Sequence, residues 1–147
     1  MQFKDTVTIQ ASRDKVWAFL TDADKVARCA PGVESVEEIE PMKKYKAVAS
    51  IGFGSIKAKF DVDLEFMELD EPTYCKVKAH GTAPGSAADV IGEMTLSDGE
   101  GGATDLAWVA SVNVMGTIAS LANRMMGSVT KKLTAEFFEK VRENIEE

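Results

Sequence analysis

The side chains able to do acid–base or nucleophilic chemistry are few: one histidine, His80, and two cysteines, Cys29 and Cys75. His80 falls in the segment Thr73–Gly81, where a period of two puts it on one face with Tyr74, Lys76 and Lys78. That face reads as wet, and a solvated imidazole is the simpler reading than a general base. A Ser-His-Asp or Cys-His arrangement would need a nucleophile beside His80, which the sequence alone does not supply. Cys75 alternates onto the opposite, apolar face with Val77 and Ala79, as an inert core thiol would. Cys29 precedes Pro31-Gly32 at a helix end and reads as packing.

The acidic residues offer little more. Asp61, Asp63 and Glu65 alternate with apolar residues and share their face with Lys57 and Lys59; they could act as an acid–base pair only if that face were enclosed. Asp5 sits on an apolar face with Phe3 and Val7, so it is either a carboxylate of raised pKa or partly exposed. Asp98 and Glu100 flank Gly99 but lack the alternating ligands of a calcium loop, and one histidine with two distant cysteines makes no zinc set. Gly52-Phe53-Gly54 lacks the lysine of a phosphate-binding loop. We therefore expect no catalytic residues, no metal and no cofactor.

The elements that carry these residues form a simple order. A strand at the N-terminus leads to a helix Arg13–Leu20 with Ser12 as its cap, then a helical turn Asp22–Arg28 ended by Pro31-Gly32. Strand patterns follow at Val33–Ile39, Tyr45–Ile51, Ser55–Glu68, Thr73–Gly81, Ala88–Ser97 and Thr104–Val112. The third is the clearest, with Ile56, Ala58, Phe60, Val62, Leu64 and Phe66 alternating with charged residues. From Gly116 the period becomes helical, with Ile118, Leu121, Met125, Val129, Leu133, Phe137, Val141 and Ile145 on one stripe. Short connections make the sheet antiparallel, and one wet face per strand leaves one face to cover. The expected fold is α+β: a curved antiparallel sheet of about seven strands wrapped around a long C-terminal helix, with two short helices after the first strand. Residues 1–147 read as one domain, with a natural cavity between sheet and helix.

The 147 residues include seven Phe, two Trp and seven Met, enough to fill a core or line that cavity. With 17 basic and 24 acidic residues the net charge is −7, which argues against a nucleic-acid partner and against general adsorption to an anionic bilayer. No apolar run approaches the roughly 20 residues of a membrane span, and the N-terminus lacks the apolar core of a signal peptide. Two cysteines without metal spacing fit a cytoplasmic protein with reduced thiols.

The apolar inner surface is the informative set. It comprises Phe60, Leu64, Cys75, Met94, Trp108 and Ala110 from strands, and Leu121, Ala122, Met125 and Met126 from the helix. By pattern it is core or cavity lining. Asn113, Thr117 and Asn123 are candidate polar contacts to orient a ligand. The apolar stretch Met115–Met126, with Arg124 its single charge, could also serve as a lid or a membrane contact.

The order of elements resembles the Bet v 1/START-like superfamily (polyketide cyclases and lipid-transfer proteins). Val16-Trp17-Ala18-Phe19-Leu20-Thr21-Asp22, Cys29-Ala30-Pro31-Gly32-Val33-Glu34-Ser35-Val36, Gly54-Ser55-Ile56-Lys57-Ala58-Lys59-Phe60 and Gly116-Thr117-Ile118-Ala119-Ser120-Leu121-Ala122-Asn123-Arg124 are similar to the carbon monoxide dehydrogenase G-subunit (CoxG) family. The resemblance spans essentially the whole domain. It implies a helix-grip fold with an apolar cavity for a hydrophobic small molecule, a quinone or an isoprenoid lipid. It also implies an accessory role beside a CO dehydrogenase-type molybdenum hydroxylase, in membrane recruitment or quinone delivery, with transient contact at the inner membrane face. Two other classes stay open: a cyclase or dehydratase with Asp5, His80 or Tyr45 in the cavity, and a protein–protein adaptor with a filled core.

Overall fold

The computed structural model describes residues 1–146. One seven-stranded antiparallel sheet takes the spatial order β1-β7-β6-β5-β4-β3-β2. The strands are β1 (Gln2–Ile9), β2 (Val33–Glu40), β3 (Lys44–Phe53), β4 (Ile56–Asp70), β5 (Tyr74–Ala83), β6 (Ser86–Asp98) and β7 (Thr104–Gly116). All neighbours but one are successive hairpin partners; β1 instead closes against β7, from Gln2 opposite Ser111 to Ile9 opposite Thr104. Between β1 and β2 run α1 (Arg13–Leu20) and α2 (Ala23–Cys29), and the chain ends in α3 (Ala119–Ile145). This is the helix grip expected from the pattern.

Local chemistry accounts for the helix starts. Ser12 accepts the amide of Lys15 at the head of α1, and Asp22 accepts those of Asp24 and Lys25 at the head of α2. Alternation sets the faces of the sheet. Cys75 lies opposite Met94, and Met94 opposite Trp108, so even positions of β6 and β7 face α3 with odd positions of β5.

Two apolar clusters divide the helix-facing side. At one end Ile9, Val16, Trp17, Phe19, Cys29, Cys75, Leu96 and Leu106 pack on Phe138, Val141 and Ile145 of α3. At the other end Phe53 and Val114 pack on Ala122 and Met126, with Leu121 and Met125 against them. Thr104 is fully buried and donates to the Ala11 carbonyl at 2.7 Å, which ties β7 to the segment before α1. The two edges are β1 and β2, and the register of β2 with β3 shifts twice, between Val33 and Ser35 and between Glu38 and Glu40.

Candidate functional site

Two chambers between sheet and helices lie toward the C-terminal half of α3 or beside α1 and α2. An inner chamber of about 240 Å³ is walled by Cys75, Val77, Gly92, Met94, Trp108 and Ala110 from the sheet, with Phe137 and Phe138 of α3 and Leu20 and Val26 of α1 and α2 among its other walls. An outer chamber of about 250 Å³ lies beside it, sharing the walls Leu20, Val26, Phe66 and Val77, and adds Ala27, Ala30, Val36, Tyr45, Ala47 and Leu64. A wider vestibule of about 660 Å³ adjoins the outer chamber through Ala23, Val36 and Tyr45. Asp22, Asp24, Glu38 and Glu71 stand around that vestibule. Side by side they make two apolar chambers with an acidic mouth.

Why the space opens there follows from side-chain size. Opposite Phe137 and Phe138 the sheet presents Gly92 and Ala110, and a Cβ built on Gly92 meets no atom within 4 Å. At the other end of the helix Phe53, Val114, Ala122 and Met126 pack in one buried cluster.

Of the residues expected to line a cavity, the structure brings Leu64, Cys75, Met94, Trp108 and Ala110 to it. Phe60 is buried but stands apart from both chambers, its ring over Gly81, where an added Cβ would meet it at 3.3 Å. Leu121, Ala122, Met125 and Met126 belong to the second cluster and close the far end. The three polar candidates lie elsewhere. Asn113 pairs with Asp89 and is exposed on the outer face, because alternation from Trp108 and Ala110 carries an odd position away from α3. Thr117 is exposed and donates to the Gly85 carbonyl at 3.2 Å, and Asn123 is exposed on α3.

The titratable candidates sort in the same way. His80 is on the outer face, where its Nδ1 meets Asp89 Oδ1, with 44% of its side chain exposed. Asp5 is exposed and accepts the amide of Thr6. Burial pushes the Cys75 thiol up to about 11, so it is protonated and unreactive at neutral pH, and burial likewise raises Cys29. Tyr45 alone of the enzyme candidates reaches the cavity. It is 5% exposed, lies edge-on to Phe66, and its hydroxyl accepts the Met42 amide at 3.1 Å. Among the described residues Trp108 Nε1 is buried without a hydrogen-bond partner, and no group of three or more metal-ligating side chains is assembled.

The profile of the carbon monoxide dehydrogenase G-subunit (CoxG) family matches residues 6–146. The chain belongs to the CoxG family. A search of curated proteins finds no sequence match. Among solved structures, a conserved protein from Geobacillus kaustophilus is similar at a TM-score of 0.90 and 28% identity, covering 99% of this chain and 95% of that one. The ZhuI aromatase/cyclase of Streptomyces sp. R1128 is similar at 0.76 and 18% identity, covering 99% and 93%. A START superfamily protein from Mycobacterium smegmatis is similar at 0.71 and 10% identity, covering 99% and 97%. At such identities the last two show the shared fold alone. The Bet v 1/START-like fold of this CoxG-family chain thus stands on both sequence and shape. No helix among the described residues is long and apolar enough to cross a membrane.

Proposed function

We propose that the protein is a non-catalytic carrier that holds a hydrophobic small molecule, a quinone or isoprenoid lipid, in the two chambers. The observation that carries this reading is their wall: apart from Glu93, whose carboxylate bonds Tyr74 at 2.8 Å, the residues around the chambers are uncharged and nearly all apolar. Burying an apolar ligand there gains about 25 cal/mol per Å² without a charged pair. The unpartnered Trp108 N–H supports a ligand that carries an acceptor, since an unmade bond in a dry wall costs about 1–3 kcal/mol.

Membership of the CoxG family supports an accessory role beside a CO dehydrogenase-type molybdenum hydroxylase, delivering the ligand or recruiting the enzyme, in the cytoplasm and in transient contact with the membrane. An enzymatic reading has less support. Asp5 and His80 lie outside the chambers, and Tyr45 has no titratable partner for its hydroxyl, only the Met42 amide.

Native mass spectrometry of protein purified without detergent, with extraction and identification of any bound lipid, tests the proposal. A stoichiometric quinone or isoprenoid mass is expected. Protein that is empty, and stays empty after incubation with quinones, would favour the adaptor or the enzyme.

A further inference from the structure

The mouth of the cavity has an electrical sign. Asp22, Asp24, Glu38 and Glu71 stand around the vestibule, and no lysine or arginine is among its lining residues. Of the nearby cations, Lys25 lies over the Phe19 ring at 5.9 Å, and Lys44, Lys46 and Lys78 line a hollow with Asp63, Glu65 and His80 that shares only Tyr45 and Leu64 with the cavity. Asp22 spends one oxygen on the amides at the head of α2, whereas no such bond engages the carboxylates of Glu38 and Glu71. Glu38 lies directly opposite Tyr45 in the β2–β3 register, so its side chain shares the cavity-facing side.

A second observation points to a ligand at the same place. Tyr45 is buried where vestibule and outer chamber meet, and its hydroxyl accepts from Met42 N–H. A phenol that accepts one bond still has its own proton to give. Among the described residues no protein acceptor takes that proton. Tyr45 at the mouth and Trp108 in the wall of the inner chamber are thus both donors without an acceptor.

Resting on the carrier reading above, we infer that the cavity discriminates by the charge sign of a ligand's polar end, admitting amphiphiles whose head is an uncharged acceptor or a cation and rejecting those with a carboxylate or phosphate head. A ketone or quinone oxygen takes the Tyr45 proton without meeting repulsion. A carboxylate would take the same proton but brings its charge among the acidic side chains Asp22, Asp24, Glu38 and Glu71.

Three probes that share one tail separate sign from mere charge: 2-dodecanone, dodecylammonium and dodecanoate, each titrated into the intact protein at pH 7.5 by calorimetry at low salt. The ketone and the ammonium should bind, and dodecanoate should bind at least tenfold more weakly than the ammonium. The double variant Glu38→Gln/Glu71→Gln, changing exposed side chains, should narrow that ratio, and 0.5 M salt should do the same. Tyr45→Phe should weaken the ketone about fivefold more than it weakens the ammonium. Dodecanoate binding within threefold of the ammonium would overturn the inference while leaving the carrier reading intact. Equal rejection of both ions relative to the ketone would also overturn it, since desolvation by the chambers would then account for the selectivity. Failure of all three probes to bind would remove the carrier reading itself, and the inference with it.

Discussion

Gly92→Val fills the inner chamber from a position where the protein gains by it. Gly92 sits in β6 between Val77 and Ala110, faces α3, and has open space where a Cβ would stand. Valine adds three carbons, each roughly the 30 Å³ of a water in bulk, so about 90 Å³. That is more than a third of a chamber of about 240 Å³. A ligand that must withdraw three methylenes loses about 0.8 kcal/mol for each, about 2.4 kcal/mol in all, or about 60-fold in Kd. Folding should move the other way. A β-branched residue replaces glycine in a strand interior, worth about 1 kcal/mol and about 3 °C in Tm. Calorimetric titration with 2-dodecanone and a thermal melt of the same sample read both. A Kd within twofold of the parent would mean that the inner chamber is not where the tail lies. A fall in Tm of several degrees would mean that the space above Gly92 is not open.

Other outcomes follow from single contacts. Thr104→Val keeps the shape but orphans the Ala11 carbonyl, so the protein should lose about 1–3 kcal/mol in urea unfolding with its m-value unchanged. Cys75 is held up to about 11 against an ordinary value of 9.0, so the unfolded chain ionises first. Stability from this group is whole below pH 9 and is lost as pH rises toward 11; Cys75→Ala should flatten the alkaline limb of a stability–pH curve, and an unchanged limb would count against the burial of the thiol. The triple variant Asn113→Ala/Thr117→Ala/Asn123→Ala should leave 2-dodecanone affinity within twofold, because all three side chains are exposed away from the chambers.

What the sequence disclosed depended on how local the signal was. Ser12 before an amphipathic turn marks α1 to the residue, and the alternation from Ile56 to Phe66 marks β4, since both rest on contacts within one element. Parity alone would also have turned Asn113 away from Trp108 and Ala110. The half of α3 that faces the cavity was less accessible, because the apolar stripe runs its whole length. Only knowing that Phe137 and Phe138 lie over Gly92 and Ala110, and Met126 near Phe53 and Val114, separates void from filled core. Such pairings join residues far apart in the chain. The part played by α1 and α2 as walls, through Leu20, Val26 and Ala27, was hidden for the same reason. Tyr45 showed itself only as a polar residue on an apolar face; its place at the mouth depends on the β2–β3 turn folding back to Met42.

The outer edge of the sheet carries a consequence for how copies of this chain meet. An uncapped edge strand offers free amides and carbonyls to any extended segment, and a second copy of the same strand is the nearest template. In β2 that edge reads Val33-Glu34-Ser35-Val36-Glu37-Glu38-Ile39-Glu40. Its two register shifts break the straight ladder, and Glu34, Glu37, Glu38 and Glu40 would crowd like charges together in a self-pairing. The β2 side of the sheet is thereby made a poor seed for edge-to-edge growth, while a basic, extended segment of another protein would meet no such repulsion.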